Sequence, residues 1–131
     1  MSKNINPKPT DGELEILQIL WEHDEVPVRF VNDLLNEKHS KEIGYTTTLK
    51  LMQIMLDKGL VKRNASSRTH IYSAAIEESE TQQTLLNQFV DAAFRGSAMK
   101  MVMQALGNHE ASKEELDEIK ALIEKIEKGG K

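Results

Sequence analysis

Hydrophobic positions recur along this chain at two periods, and the changes between them mark its elements. From Thr10 the pattern is helical. Leu14, Leu17 and Trp21 repeat at three- and four-residue steps, with Ile16 and Leu20 widening the stripe. Thr10 and Glu13 supply the Thr-x-x-Glu box that opens such a helix. His23-Asp24-Glu25 interrupts the pattern. Val26-Pro27-Val28 reads as extended chain or a helix entry, because proline fixes its φ and lacks an N–H. A second helix is expected over 28–37, burying Val28, Val31 and Leu35, with a turn over 38–43. A third helix runs over 44–58, in the stretch GYTTTLKLMQIMLDKGLVKR. Thr46 is placed to cap it, Gly59 to end it in a left-handed conformation, and Lys58 to meet the negative end of its dipole. The period sets Tyr45, Leu49, Met52 and Leu56 on the core face. It sets Thr47, Lys50, Leu51, Ile54 and Lys58 opposite. Alternation then takes over. Residues 60–65 and 69–76 read as two strands around a tip at Ser66-Ser67-Arg68, with His70 in the second strand.

An acidic break at Glu77-Glu78-Ser79-Glu80 marks a boundary. Beyond it a helix over 79–94 carries Leu85, Leu86, Phe89, Val90 and Ala93. Arg95-Gly96-Ser97 separates it from a helix over 98–106, which Ser97 can cap and Gly107-Asn108 stops. Ser112 and Glu115 form a second capping box, opening a last helix with Leu116, Ile119, Leu122, Ile123 and Ile126. Three such helices bury little against one another, and isolated helices are marginal in water. They are expected to complete a core with the same helices of a second chain. The residues assigned to that contact are Leu86, Phe89, Val90, Met99, Val102, Met103, Leu106, Leu116, Ile119 and Ile123. The whole is mostly α with a small β-wing: a winged helix-turn-helix over 1–76 and a helical dimerisation region over 77–131.

Charge sharpens this division. The net charge of −4 conceals +4 over residues 44–76, flanked by −4 on each side. Charges separated by more than about 8 Å are screened at physiological salt, so the basic patch can still meet phosphate. The absence of cysteine excludes disulfides, zinc fingers and thiol catalysis. No apolar run is long enough to span a bilayer, and 1–10 lacks a signal core, so a cytoplasmic protein without membrane insertion is expected.

Enzyme chemistry finds no footing. His23, His39, His70 and His109 lie in different elements, and no nucleophile elbow, phosphate loop or zincin motif occurs. No cofactor or metal is implied. Met99, Met101 and Met103 suggest soft copper(I) ligation, but Met99 and Met103 share a helical face with Val102 and Leu106, the pattern of packing. The basic segment is the remaining signal. Thr46, Thr47 and Thr48 bring hydroxyls to the helix start, Lys50 lies one turn on, and Lys62, Arg63 and Arg68 load the wing. Leu51 and Ile54 are either covered by the turn and wing or free to touch thymine methyls, and Ile54 is counted with the DNA-binding residues. These residues point to double-stranded DNA. A winged helix that binds only protein through Leu51 and Ile54 is the alternative.

The same segment, followed by SRTHIYSA and preceded by LEILQILWEH, resembles the penicillinase-repressor family of winged-helix regulators. The Tyr-Thr-Thr turn, the Lys-Gly-Leu-Val junction and the Arg68-to-Tyr72 wing strand carry the likeness. It implies a homodimeric repressor on a palindromic operator, with Thr46, Thr47 and Lys50 at bases or phosphates and Arg68 in the wing. It also implies relief through a membrane sensor protease or a downstream protease that cuts the tail helices at an Asn-Phe bond. Here the matching dipeptide is Gln104-Ala105.

Overall fold

Reciprocal capping starts the fold. The Thr10 hydroxyl accepts the Glu13 N–H at 3.2 Å, and the Glu13 carboxylate accepts the Thr10 N–H at 2.9 Å. The computed structural model, which describes residues 8–66, 68–108 and 110–130, begins its first helix there as α1 (Asp11–His23). Asp24 ends α1 with φ at +67°. Val26–Pro27 then forms a short strand, β1, and Pro27 stands immediately before α2 (Val28–Lys38). At the edge of a sheet the missing proline N–H costs no ladder bond. After α3 (Tyr45–Lys58) come β2 (Val61–Asn64) and β3 (Ile71–Ala74).

The sheet is antiparallel with order β1-β3-β2. The sequence pattern showed the hairpin and an extended chain or helix entry at Val26-Pro27-Val28, but not the pairing of β1 with β3, since two residues are too few to alternate. Pairing also covers less of each strand than expected, and His70 lies just before β3, exposed. Ser67, at the expected tip, lies outside the described residues. So does His109.

One core joins these elements. It holds Ile16, Leu17 and Leu20 from α1, Val28, Val31 and Leu35 from α2, Met52 and Met55 from α3, then Leu60, Val61 and Tyr72. Each such side chain contributes on the order of 1.5–3 kcal/mol by leaving water. Trp21 is half-buried, and its indole N–H donates to the Ile76 carbonyl at 3.0 Å, tying the exit of the sheet to α1.

Two expectations for α3 need correction. Its N-cap is Gly44, with no capping side chain, so Thr46 lies within the helix rather than at its cap. Its buried face is Thr48, Met52 and Met55. Tyr45 stays 41% exposed, and Leu49 and Leu56 are only partly buried. The helix is therefore rotated about its axis from the orientation expected. Gly59 does adopt the left-handed conformation, with φ at +83°.

The chain divides into two compact units, residues 1–85 and 86–131. The helix α4 (Glu78–Phe94) begins in the first and ends in the second. Arg95 and Gly96, with φ of +53° and +85°, break the chain before α5 (Ala98–Asn108). The Ser97 hydroxyl accepts the Lys100 N–H, capping α5. Ser112 and Glu115 cap α6 (Lys113–Lys125) reciprocally. Neither α5 nor α6 buries a residue.

Candidate nucleic-acid interface

The start of α3 is held by amides projecting from α2. Asn32 is buried, and its Nδ2 donates to the carbonyls of Ile43 and Gly44 and to the Thr48 hydroxyl oxygen at 2.8 Å. One turn on, Asn36 donates to the Ile43 carbonyl and accepts the Ile43 N–H. Two side chains thus specify both faces of the peptide that leads into α3. Such a network fixes one geometry, since each lost partner leaves a buried polar group unsatisfied.

The other end of α3 is pinned by charge. Lys58 Nζ meets Glu13 Oε2 at 2.8 Å. Glu13 is almost fully buried, and its two oxygens serve the α1 cap and the Lys58 ammonium separately. Burial pushes its carboxyl up. The hydrogen bond from Lys58, the Thr10 backbone N–H and the Lys58 charge outweigh that effect and hold it below its ordinary value. The sequence marked Glu13 as a cap but not as a buried ion-pair partner. Lys58 is correspondingly occupied and leaves the set of free cations.

With its ends fixed, α3 presents Thr46, Thr47 and Lys50 to solvent. Ile54 stays at the surface at 39% exposure, whereas Leu51 is half-buried against the core. Thr48 is the correction here. It is 1% exposed and engaged with Asn32, so it supports α3 and cannot reach a ligand. Three consecutive threonines look equivalent in sequence, but 100° of rotation per residue puts the third inside.

The hairpin also sorts its cations. Lys62, Arg63 and Arg68 are all exposed. Neighbouring strand residues point to opposite faces, so Lys62 and Arg63 cannot serve the same surface. Lys62 borders an open cleft whose rim includes Asp24, Glu25, Glu77 and Glu78, a poor setting for an anion. Arg63 and Arg68 are free of that acidic rim.

A residue the sequence reading passed over lies on α2. The Arg29 guanidinium sits over the Tyr45 ring, 5.0 Å from its centroid. Arg29 precedes Asn32 and Asn36 at helical spacing, which is the signal that could have found it.

In the second unit, most residues expected at a contact are open. Leu86, Phe89, Met99, Val102, Met103, Leu106, Leu116 and Ile123 are exposed, from 39% for Leu106 to 67% for Met99. Ile119 is half-buried. Val90 is the correction: it is already buried and offers little further area. Gln104 and Ala105 are exposed on α5. Among the described residues no three His, Asp or Glu side chains gather as a metal site, and no helix is long and apolar enough to cross a membrane.

A helix-turn-helix backed by a three-stranded wing, with hydroxyls and a cation on its outer helix, defines a winged-helix nucleic-acid reader. The model of the family described as "Penicillinase repressor" matches residues 9–125, and the chain belongs to that family; it is a DNA-binding transcriptional repressor. It is 24% identical over 119 residues to the penicillinase repressor of Bacillus licheniformis, covering 90% of this chain and 91% of that one. It is 20% identical over 117 residues to the methicillin resistance regulatory protein MecI of Staphylococcus aureus, covering 88% and 93%. The DNA-binding domain of the repressor BlaI superposes with a TM-score of 0.50 at 22% identity, over 60% of this chain and 93% of that domain. H. salinarum RosR superposes at 0.52 and 17% identity, over 91% and 94%. Both likenesses are of fold.

Proposed function

We propose that this repressor acts as a homodimer on a palindromic operator. Each protomer lays α3 in the major groove, with Thr46, Thr47 and Lys50 toward bases or phosphates and Ile54 toward thymine methyls. Arg63 and Arg68 reach backbone or neighbouring groove from the hairpin. Residues 1–76 read DNA, and 77–131 join the two copies. The observation that carries this reading is the pairing of a rigidly held, outward-facing α3 with a second unit whose large apolar side chains lack cover. So many large apolar side chains left open on short helices support an interaction site.

A single small reader binds with roughly 10⁻⁴ to 10⁻⁶ M affinity, mostly through phosphate. Joining two readers makes the second contact intramolecular and gains about 10²–10⁴-fold. Repression then follows from occlusion of the promoter, and control from whatever separates the copies. Cleavage within α5, at Gln104-Ala105, by a membrane sensor protease or a protease downstream of it would do so. It requires local opening of the helix first.

The test is titration of the full chain against its own upstream DNA over a range of salt, with sedimentation of the free protein. Tight, salt-dependent binding by a dimer is expected. Lys50→Ala should lower the salt slope by about one if Lys50 meets one phosphate. A monomer indifferent to inverted-repeat duplexes would refute the reading.

A further inference from the structure

The basic segment over 44–76 leaves out a cation that the structure places at the mouth of the reading helix. Arg29 is exposed on the first turn of α2, and its guanidinium lies over Tyr45, the first residue of α3. Among the described residues no carboxylate pairs with it, although Asp33 stands one helical turn on. Among the described residues its guanidinium thus has no ion-pair partner.

The stack is also held in place. Tyr45 follows Ile43 and Gly44, whose backbone Asn32 and Asn36 grip from α2. Arg29 leaves the same face of α2 as those two amides, at positions i, i+3 and i+7. The ring is thus positioned by the helix that carries the arginine. A guanidinium held over a ring through its charge does not spend its N–H groups on that contact, and its planar fork matches two oxygens of a phosphate. In a helix-turn-helix the outer helix enters the groove while the preceding helix crosses the sugar-phosphate backbone.

We propose that Arg29, preorganised on Tyr45, grips a backbone phosphate of the bound duplex beside the start of α3. This rests on the DNA-reading role of α3 and adds a contact from outside the basic segment. A phosphate contact positions the protein without reading sequence. Its loss must weaken binding to every duplex alike.

The test measures Arg29→Ala, Arg29→Lys and Tyr45→Ala in the full chain, on upstream DNA and on a short random-sequence duplex. Melting curves for each variant establish folding. Arg29→Ala should weaken both complexes alike, on the order of tenfold, and lower the salt slope by about 0.9. Arg29→Lys should restore the slope but not the full affinity. Tyr45→Ala should keep the slope and lose affinity, because the charge remains while its placement is lost. Lys38→Ala, which removes a cation already paired with Glu15, should change neither. If wild-type protein binds and Arg29→Ala leaves the slope intact, the phosphate contact is wrong while the DNA reading stands. A loss confined to upstream DNA overturns it too, since that is the signature of a base contact. If wild-type protein binds neither duplex, the DNA reading itself fails.

Discussion

Single residues decide how α3 is held, and two of them carry sharp consequences. Glu13 is buried with one oxygen on the α1 cap and the other on Lys58. Glu13→Gln keeps a capping group at that position but removes the ion pair; Glu13→Ala removes both. Breaking a buried pair is costly, yet Lys58 is about a third exposed, so part of its charge is solvated after the change. Glu13→Ala should therefore cost roughly 2–3 kcal/mol, and Glu13→Gln distinctly less, by denaturant unfolding. The folded carboxyl lies below its ordinary value, so the pair's contribution is complete above the unfolded value. It is lost as pH falls through the lowered folded value. The stability gap between wild type and Glu13→Gln should close in that acid range and stay constant above it. At the other end, Thr48→Val leaves Asn32 Nδ2 with its two carbonyl partners and should cost about 1 kcal/mol. Its DNA affinity should be unchanged, because that hydroxyl faces the core. A large loss of binding in a fully folded Thr48→Val protein would return Thr48 to the interface.

Whole elements were more legible than their rotation. Capping boxes at Thr10/Glu13 and Ser112/Glu115, the left-handed Gly59 and the Arg95-Gly96 break each act through local backbone bonds, and sequence alone exposes such bonds. The orientation of α3 depends instead on a partner across space. A threonine inside a core is acceptable only if something satisfies it, and Asn32, sixteen residues earlier, does so. No periodicity within α3 could reveal that. Likewise β1 exists because β3 offers it a free edge. The uncapped start of α3 leads to a prediction at this scale. Gly44 has φ −70° and ψ 150°, conformations open to any residue, and a Cβ there meets nothing within 4 Å. Gly44→Asp should add a cap and a favourable dipole charge, stabilising the fold by a few tenths to about 1 kcal/mol. The same carboxylate would stand where phosphate is expected, so DNA affinity should fall while the melting temperature rises. A raised melting temperature with undiminished DNA affinity would separate the start of α3 from the DNA.

At the scale of the molecule, the two units differ in what their sequences could complete alone. The first encloses a core drawn from α1, α2, α3 and the sheet, so period placed most of the apolar residues of α1 and α2 inside, and missed only where α3 turned Tyr45 outward and Met55 inward. The second leaves Phe89, Met99, Met103 and Ile123 half or more exposed, because short amphipathic helices cannot cover one another on all sides. The proposed pairing of two copies was legible only as this surplus, and Val90 shows the limit, since an apolar residue can equally be used up within its own chain. If the surplus is a contact between copies, a charge placed on it will separate them. Ile123→Glu should therefore yield a folded monomer by sedimentation, with α6 capping intact at its other end. Affinity for an inverted-repeat duplex should drop by about 10²–10⁴-fold, the factor that joining two readers supplies. Affinity for a duplex with one half-site should hardly change, because each α3 keeps its own support from Asn32 and Glu13. A dimeric Ile123→Glu protein with undiminished binding would move the contact away from α6. Equal losses on one half-site and on two would mean that the substitution acts on the reader rather than on the pairing.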